Sequence, residues 1–149
     1  QFIFSAYAGL FLGPRKGAYA LLVYIGLGLI GLPVFTQGGG IGYIFMPTFG
    51  FLIGFTLSTV WIGYCRTKMK EYKFIPLFFS IVGGLVILYL CGWLYLHWVL
   101  TIYGGKAMTL TQSFMISVAP FVVSDLIFAA VAALTAVRVL PILKRLGYL

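Results

Sequence analysis

Asp125 is the side chain whose type and position most clearly point to chemistry. It lies five residues after Pro120, inside the apolar run Val122-Val123-Ser124-Asp125-Leu126-Ile127, and Glu71 is the only other acid. If a membrane-spanning helix begins at Pro120, Asp125 lies about 7 to 8 Å inside its outer end. An ionisable group at that depth is costly unless it faces a polar cavity or a partner, so Asp125 predicts a ligand pocket. The alternative is a protonated Asp bonded to the helix backbone.

The other reactive side chains predict neither a catalytic centre nor a metal site. The sequence has no neighbouring carboxylates and no G-x-S-x-G, H-E-x-x-H or Walker A motif. His97 lies among Trp and Tyr residues, a composition typical of a membrane interface. Cys65 and Cys91 lie in apolar runs without C-x-x-C spacing, which indicates buried thiols. Glu71 lies among lysines and predicts a solvated ion pair. We therefore predict a binding protein that is not an enzyme and has no cofactor.

Composition indicates a membrane protein with a defined orientation. Hydrophobic residues make up 62% of the 149 positions and charged residues 8%, whereas about a quarter of the residues in soluble proteins are charged. Nine of the ten basic residues lie in three gaps between apolar runs. Such gaps face the cytoplasm, and a charge spread over them does not indicate nucleic-acid binding. The basic residues are Arg15 and Lys16; Arg66, Lys68, Lys70 and Lys73; Arg138, Lys144 and Arg145; and, outside the gaps, Lys106.

The apolar runs predict an all-α, polytopic membrane helix bundle in which residues 1 to 149 form a single transmembrane domain. A short helix at the outer surface is expected over residues 109 to 119, and the C-terminus is expected in the cytoplasm. The first run would form only about 20 Å of helix, less than the roughly 30 Å hydrocarbon core, so an N-terminal helix is expected to be missing. The five predicted spans are residues 1 to 13, 17 to 32, 47 to 65, 74 to 100 and 120 to 143.

The segment from Pro33 to Pro47 predicts a functional external loop. It is bounded by prolines, is glycine-rich over residues 36 to 42, and is too long and apolar to be a simple connector. We expect residues 36 to 42 to form a lid over the pocket at Asp125. A carboxylate there can accept hydrogen bonds from a ligand that carries N–H donors.

Four blocks of sequence resemble the BioY family, the biotin-specific substrate-binding (S) component of energy-coupling factor (ECF) transporters. The resemblance covers nearly the whole chain. It implies six membrane helices, of which the first would precede this sequence, in a prokaryotic plasma membrane. It also implies biotin uptake through reorientation of the loaded S component on a transmembrane coupling subunit driven by two ABC-type ATPases. The blocks are Gly9-x-x-x-Gly13-Pro14-Arg15-x-Gly17-Ala18; Tyr24-x-x-Leu27-Gly28-Leu29-Ile30-Gly31-Leu32-Pro33-Val34-Phe35; Pro47-Thr48-x-Gly50-Phe51-Leu52-x-Gly54-Phe55; and Pro120-Phe121-x-x-x-Asp125-Leu126.

The resemblance also suggests roles for individual residues. Asp125 and Gln1 match positions that family members share, and Asp125 with Gln37 or Gln1 would pair with the ureido group of biotin. Family members usually carry Lys where this chain has Phe128, so the ligand carboxylate would need other donors. Backbone N–H groups of the glycine loop can form an anion-binding nest, and Lys106 is the second option. The predicted nest consists of Gly38, Gly39 and Gly40. The predicted aromatic walls of the pocket are Tyr24, Phe35, Tyr43 and Phe128, and the alternative role of each aromatic side chain is packing within the bundle.

Other functions stay open at this point. The chain could be an S component for another vitamin or a biotin precursor, an independent secondary transporter, or a structural membrane subunit. Secondary transporters usually contain paired repeats, and the sequence shows no internal repeat. The small residues Ala129, Ala133 and Ala136 share one face of the last span, which predicts either internal packing or a docking surface.

Overall fold

The computed structural model describes residues 1–105 and 107–148, which form a bundle of six α-helices. A π-helical segment, Ala8–Leu12, continues the first helix, and a 3₁₀ segment, Ile41–Phe45, lies in the external loop. The predicted all-α class is confirmed. The α-helices are α1 (Phe2–Tyr7), α2 (Gly13–Ile30), α3 (Phe49–Lys68), α4 (Phe74–Ile102), α5 (Leu110–Ser117) and α6 (Val122–Arg145).

Three of the described helices, α3, α4 and α6, are long and apolar enough to cross a membrane by length and composition. They correspond to three of the five predicted spans. The other two predicted spans are also helical, as α1 with its π-helical segment and as α2. The predicted outer helix is α5, which begins with a capping box in which Thr109 and Gln112 bond reciprocally.

The structure moves three predicted helix boundaries. Gly13 was expected to end the first span, but it is the first residue of α2, with a φ of 81° that turns the chain without an intervening loop. Arg66 and Lys68 were expected in a loop, but they form the last turn of α3. The last span begins at Val122 and not at Pro120, which places Asp125 in its first turn. Asp125 is therefore shallower than the sequence predicted, and the positive end of the helix dipole stabilises its negative charge.

Small residues let α6 pack into the centre of the bundle. Ala129, Ala132, Ala133 and Ala136 have no exposed surface and belong to the main apolar core with residues of α1, α3 and α4. Internal packing, and not docking, is thus the role of this face. The backbones of α3 and α4 also approach each other closely. A Cβ added at Gly54 of α3 would lie 2.9 Å from the carbonyl oxygen of Leu88 in α4.

The short connection between α3 and α4 is polar and solvated. Lys73 Nζ lies 2.8 Å from Glu71 Oε2, and both side chains are more than two-thirds exposed. The hydrogen bond from Lys73 lowers the pKa of the Glu71 carboxyl below its usual value. Glu71 is therefore the solvated ion-pair partner that the sequence predicted.

Candidate ligand-binding site

A cavity of about 710 Å³ lies at one end of the bundle, within the usual range of small-molecule sites. Its walls come from the start of α1, the end of α2, the first half of α3, the second half of α4, the end of α5 and the start of α6. The nine basic residues of the three gaps lie towards the opposite ends of α2, α3 and α6. The cavity is therefore at the end that the charge pattern predicts to be external. Its polar lining residues are Gln1, Tyr24, Thr36, Tyr43, Thr48, Tyr89, Ser117 and Asp125.

Asp125 lies in the cavity wall, half-buried, and has a partner from α4. The Tyr89 hydroxyl donates a hydrogen bond of 2.7 Å to Asp125 Oδ2. Within the described residues, the structure records no partner for the other carboxylate oxygen, Oδ1. The carboxylate is thus held by one oxygen and can accept a ligand N–H with the other. This geometry disfavours the alternative in which Asp125 bonds only to its own helix backbone.

A second polar chain crosses the wall on the side of α2. Gln1 Nε2 donates to the Tyr24 hydroxyl at 3.1 Å, and that hydroxyl donates to the Val34 carbonyl oxygen at 2.9 Å. These three residues also line a smaller cavity of about 340 Å³, so the chain of hydrogen bonds lies where the two cavities meet. The amide oxygen of Gln1 stays available as an acceptor, since the amide bonds through its nitrogen.

Two aromatic residues anchor the external loop over the cavity. Phe35 and Tyr43 are each 6% exposed, and their ring centroids lie 4.4 Å apart. The Phe35 ring lies against Gly28 of α2, where an added Cβ would approach within 2.0 Å of its tip. Tyr24 contacts the other side of Phe35 edge-on, at a centroid distance of 5.6 Å. The loop therefore contributes two fixed aromatic surfaces to the pocket.

The loop glycines do not line the cavity, and neither does Gln37. Gly38 and Gly40 have φ angles of 103° and 113°, which only glycine adopts easily. Their N–H groups are already used, because Gly38 donates to the Phe35 carbonyl oxygen and Gly40 to that of Gly28. A Cβ at Gly39 would lie 2.2 Å from the Leu32 carbonyl oxygen. The structure thus argues against the predicted three-residue anion nest and shows that these glycines close the loop onto α2.

The two remaining predicted residues have different outcomes. Phe128 is 45% exposed and does not line the cavity, although it follows Asp125 by three residues. Residues three apart share a helix face, but the exposed Phe128 side chain lies outside the cavity lining, so it is not an aromatic wall of this pocket in the structure. Lys106, the alternative donor for a ligand carboxylate, lies outside the described residues.

Sequence reasoning missed several lining residues. Tyr89 is the most important, because it orients Asp125 from a helix that is 36 positions distant in sequence. Thr48 pairs its hydroxyl with that of Tyr43 at 3.1 Å and so joins the start of α3 to the loop. Thr36 and the buried Ser117 add two more hydroxyls. No pattern in the sequence distinguishes these hydroxyls from others that only pack.

The site combines one carboxylate, several neutral hydrogen-bonding groups and apolar walls. Among the described lining residues none is Lys, Arg, His or Cys, and the described residues contain no group of three His, Cys, Asp or Glu side chains that could hold a metal. The arrangement can orient a compact ligand that has an N–H-bearing end and an apolar body.

Comparisons with known proteins identify one family. The model of the BioY family matches residues 1–145. The chain is 38% identical over 144 residues to the probable biotin transporter BioY of Lysinibacillus sphaericus, covering 97% of this chain and 74% of that protein. It is 37% identical over 139 residues to the biotin transporter BioY of Thermotoga maritima, covering 92% and 75% respectively.

A solved structure has the same fold. The S component for biotin from an ECF-type ABC transporter superposes with a TM-score of 0.81 at 23% identity, covering 93% of this chain and 72% of that one. The family match extends over nearly the whole chain, including the residues that build the cavity. This chain therefore belongs to the BioY family.

Proposed function

We propose that this chain binds biotin in the 710 Å³ cavity and carries it into the cell as the S component of an ECF transporter. The observation that supports this most directly is the half-buried Asp125 in the cavity wall, with one oxygen held by Tyr89 and no recorded partner among the described residues for the other. The curated relatives are biotin transporters by name, and the superposed structure is an S component for biotin.

Biotin fits the distribution of polar and apolar groups in the cavity. Its ureido ring carries two N–H donors, for which Asp125 Oδ1 and the Gln1 amide oxygen are the available acceptors. Its bicyclic body and aliphatic chain can pack on Phe35, Tyr43 and Tyr24, which form one contiguous aromatic wall. The ligand carboxylate has no cationic partner among the described lining residues, and we place it towards the solvent side of the loop.

A binding measurement tests the ligand. Isothermal titration of the purified protein with biotin should give saturable, one-to-one binding, and other vitamins such as riboflavin and thiamine should give none. Tight binding of another vitamin together with absent biotin binding would support an S component of different specificity. Binding of none of them would contradict the proposal.

Transport is expected to require partner proteins. The chain has no nucleotide-binding motif, so we propose that a transmembrane coupling subunit and two ABC-type ATPases supply the energy. In liposomes, ATP-dependent biotin accumulation should appear only when those partners are reconstituted with this chain. Accumulation by the chain alone, driven by an ion gradient, would instead support the independent secondary transporter.

The proposed orientation in the prokaryotic plasma membrane places the cavity outside and the C-terminus in the cytoplasm. Labelling of single cysteines in intact cells tests it, with Cys65 and Cys91 replaced by Ser. Gln37→Cys should react with an impermeant maleimide, because Gln37 is exposed at the cavity end. Lys70→Cys, exposed at the basic end, should react only after the membrane is opened, and the reverse pattern would invert the orientation.

A further inference from the structure

Arg66 is a buried cation at the basic end of the bundle. It lies in the last turn of α3 and is 7% exposed, and its Nε has no hydrogen-bond partner. Within the described residues, the structure records neither a hydrogen bond from its side chain nor an ion pair. A guanidinium that is buried to this extent normally requires a negatively charged or carbonyl partner.

The guanidinium faces the start of α2. A Cβ added at Gly13, the first residue of that helix, would lie 2.8 Å from Arg66 Nη2. The helices meet closely there, since a Cβ at Gly63 would lie 2.5 Å from the Pro14 nitrogen. The first turn of α2 has no side-chain cap. The Gly13 N–H already donates to the Gly9 carbonyl oxygen and Pro14 has no N–H, so the guanidinium itself supplies the positive charge of this corner.

No acidic side chain of this chain can neutralise that corner. The sequence contains two acids. Glu71 pairs with Lys73 in the exposed α3–α4 connection, and Asp125 pairs with Tyr89 at the opposite end of the bundle. Two further cations, Arg15 and Lys16, are exposed in the same first turn of α2. Neither of these acids is thus placed to balance the charge of Arg66.

We propose that this corner binds the phosphate of an anionic phospholipid headgroup in the cytoplasmic leaflet. A guanidinium forms paired N–H contacts with phosphate oxygens. The position of Arg66 favours a lipid as the source of the phosphate. Arg66 ends an apolar spanning helix, and the preceding turns carry Trp61 and Tyr64, which are 43% and 53% exposed. Exposed Trp and Tyr mark the depth of lipid headgroups.

Lipid binding to the purified full chain tests the proposal without reference to biotin. In native mass spectrometry, the protein should retain phosphatidylglycerol in preference to phosphatidylcholine, and phosphatidylglycerol should raise its melting temperature. Arg66→Gln should weaken phosphatidylglycerol binding about tenfold or more, because a charge-assisted contact is lost. The matched control is Lys68→Gln, which removes an exposed cation from the same helix end and should leave the preference intact.

Several outcomes would overturn the inference. These are an unchanged lipid preference in Arg66→Gln, an equal loss in Lys68→Gln, and no preference in the original protein. Stabilisation by inorganic phosphate as large as that by phosphatidylglycerol would assign the site to a soluble anion. Loss of assembly with the coupling subunit in Arg66→Gln, without any lipid effect, would assign it to an acidic protein side chain. If Arg66→Gln does not fold, Arg66→Lys serves instead: it keeps the charge but not the paired contacts, and unchanged lipid affinity in it refutes the proposal.

Discussion

Replacing Asp125 with Asn is the sharpest test of the ligand site. The substitution keeps the shape of the side chain and removes its charge. In the structure, Oδ2 accepts the Tyr89 hydroxyl at 2.7 Å, which leaves one oxygen for the ligand. One hydrogen bond from a ligand N–H to a charged acceptor contributes about 1.5 to 3 kcal/mol, so biotin affinity should fall between about tenfold and about 150-fold.

Because of the orientation of the new amide, we expect a loss of biotin affinity near the upper end of this range. An Asn oxygen that accepts from Tyr89 turns the amide NH₂ towards the ligand, where two donors would then face each other. Titration calorimetry measures the loss, and the melting temperature of the free protein shows whether the variant is folded. Glu71→Gln is the matched control, because it removes the other acid, which lies in the exposed α3–α4 connection. Unchanged biotin affinity in a folded Asp125→Asn protein would refute the assignment of this carboxylate to the ligand.

Three further predictions concern the walls of the cavity. Tyr89→Phe should lower biotin affinity by only about fivefold, because the Asp125 carboxylate keeps its charge and loses one orienting hydrogen bond. A loss of affinity as large as that of Asp125→Asn would mean that Tyr89 itself contacts the ligand. Gly28→Ala should destabilise the protein by about 1 kcal/mol or more and weaken biotin binding, because the added Cβ displaces Phe35. The control Gly26→Ala has open space around the added Cβ, so thermal melts and titrations should show neither effect. The affinities for biotin and for biotinamide should differ by no more than about threefold, since no described lining residue is cationic. A strong preference for the acid that disappears in Lys106→Ala would place that lysine at the ligand.

The sequence predicted the ligand end of the molecule from features that are rare in membrane helices. A carboxylate within an apolar run is costly, so Asp125 had to face a cavity or a partner. The proline and glycine content of residues 33 to 47 predicted a functional external loop, and the structure places Phe35 and Tyr43 of that loop in the cavity wall. Both inferences depend on residue type alone and need no knowledge of which helices touch.

Other features depend on contacts between distant segments, and the sequence could not provide them. Tyr89 is one of ten tyrosines, and only the approach of α4 to α6 distinguishes it. Gly38 and Gly40 have positive φ, but the direction of the loop N–H groups follows from the fold, in which Gly40 bonds to Gly28. Arg66 was predicted to lie in a loop, but the structure places it in the last turn of α3. The prediction failed because helices with long charged side chains can extend beyond their apolar runs.

Asp125 and Arg66 differ in how their charge is balanced. Asp125, at the ligand end, is oriented by a hydroxyl of the same chain and sits in the first turn of α6, where the helix dipole favours a carboxylate. Arg66, at the basic end, faces the start of α2, and within residues 1–105 and 107–148 the structure records no acid that pairs with it. Ligand binding should therefore be a property of the isolated chain in any detergent that preserves its fold. Under the lipid proposal, the stability of the basic end should instead depend on the anions that the surrounding membrane supplies, because the phospholipid phosphate would balance the charge of Arg66.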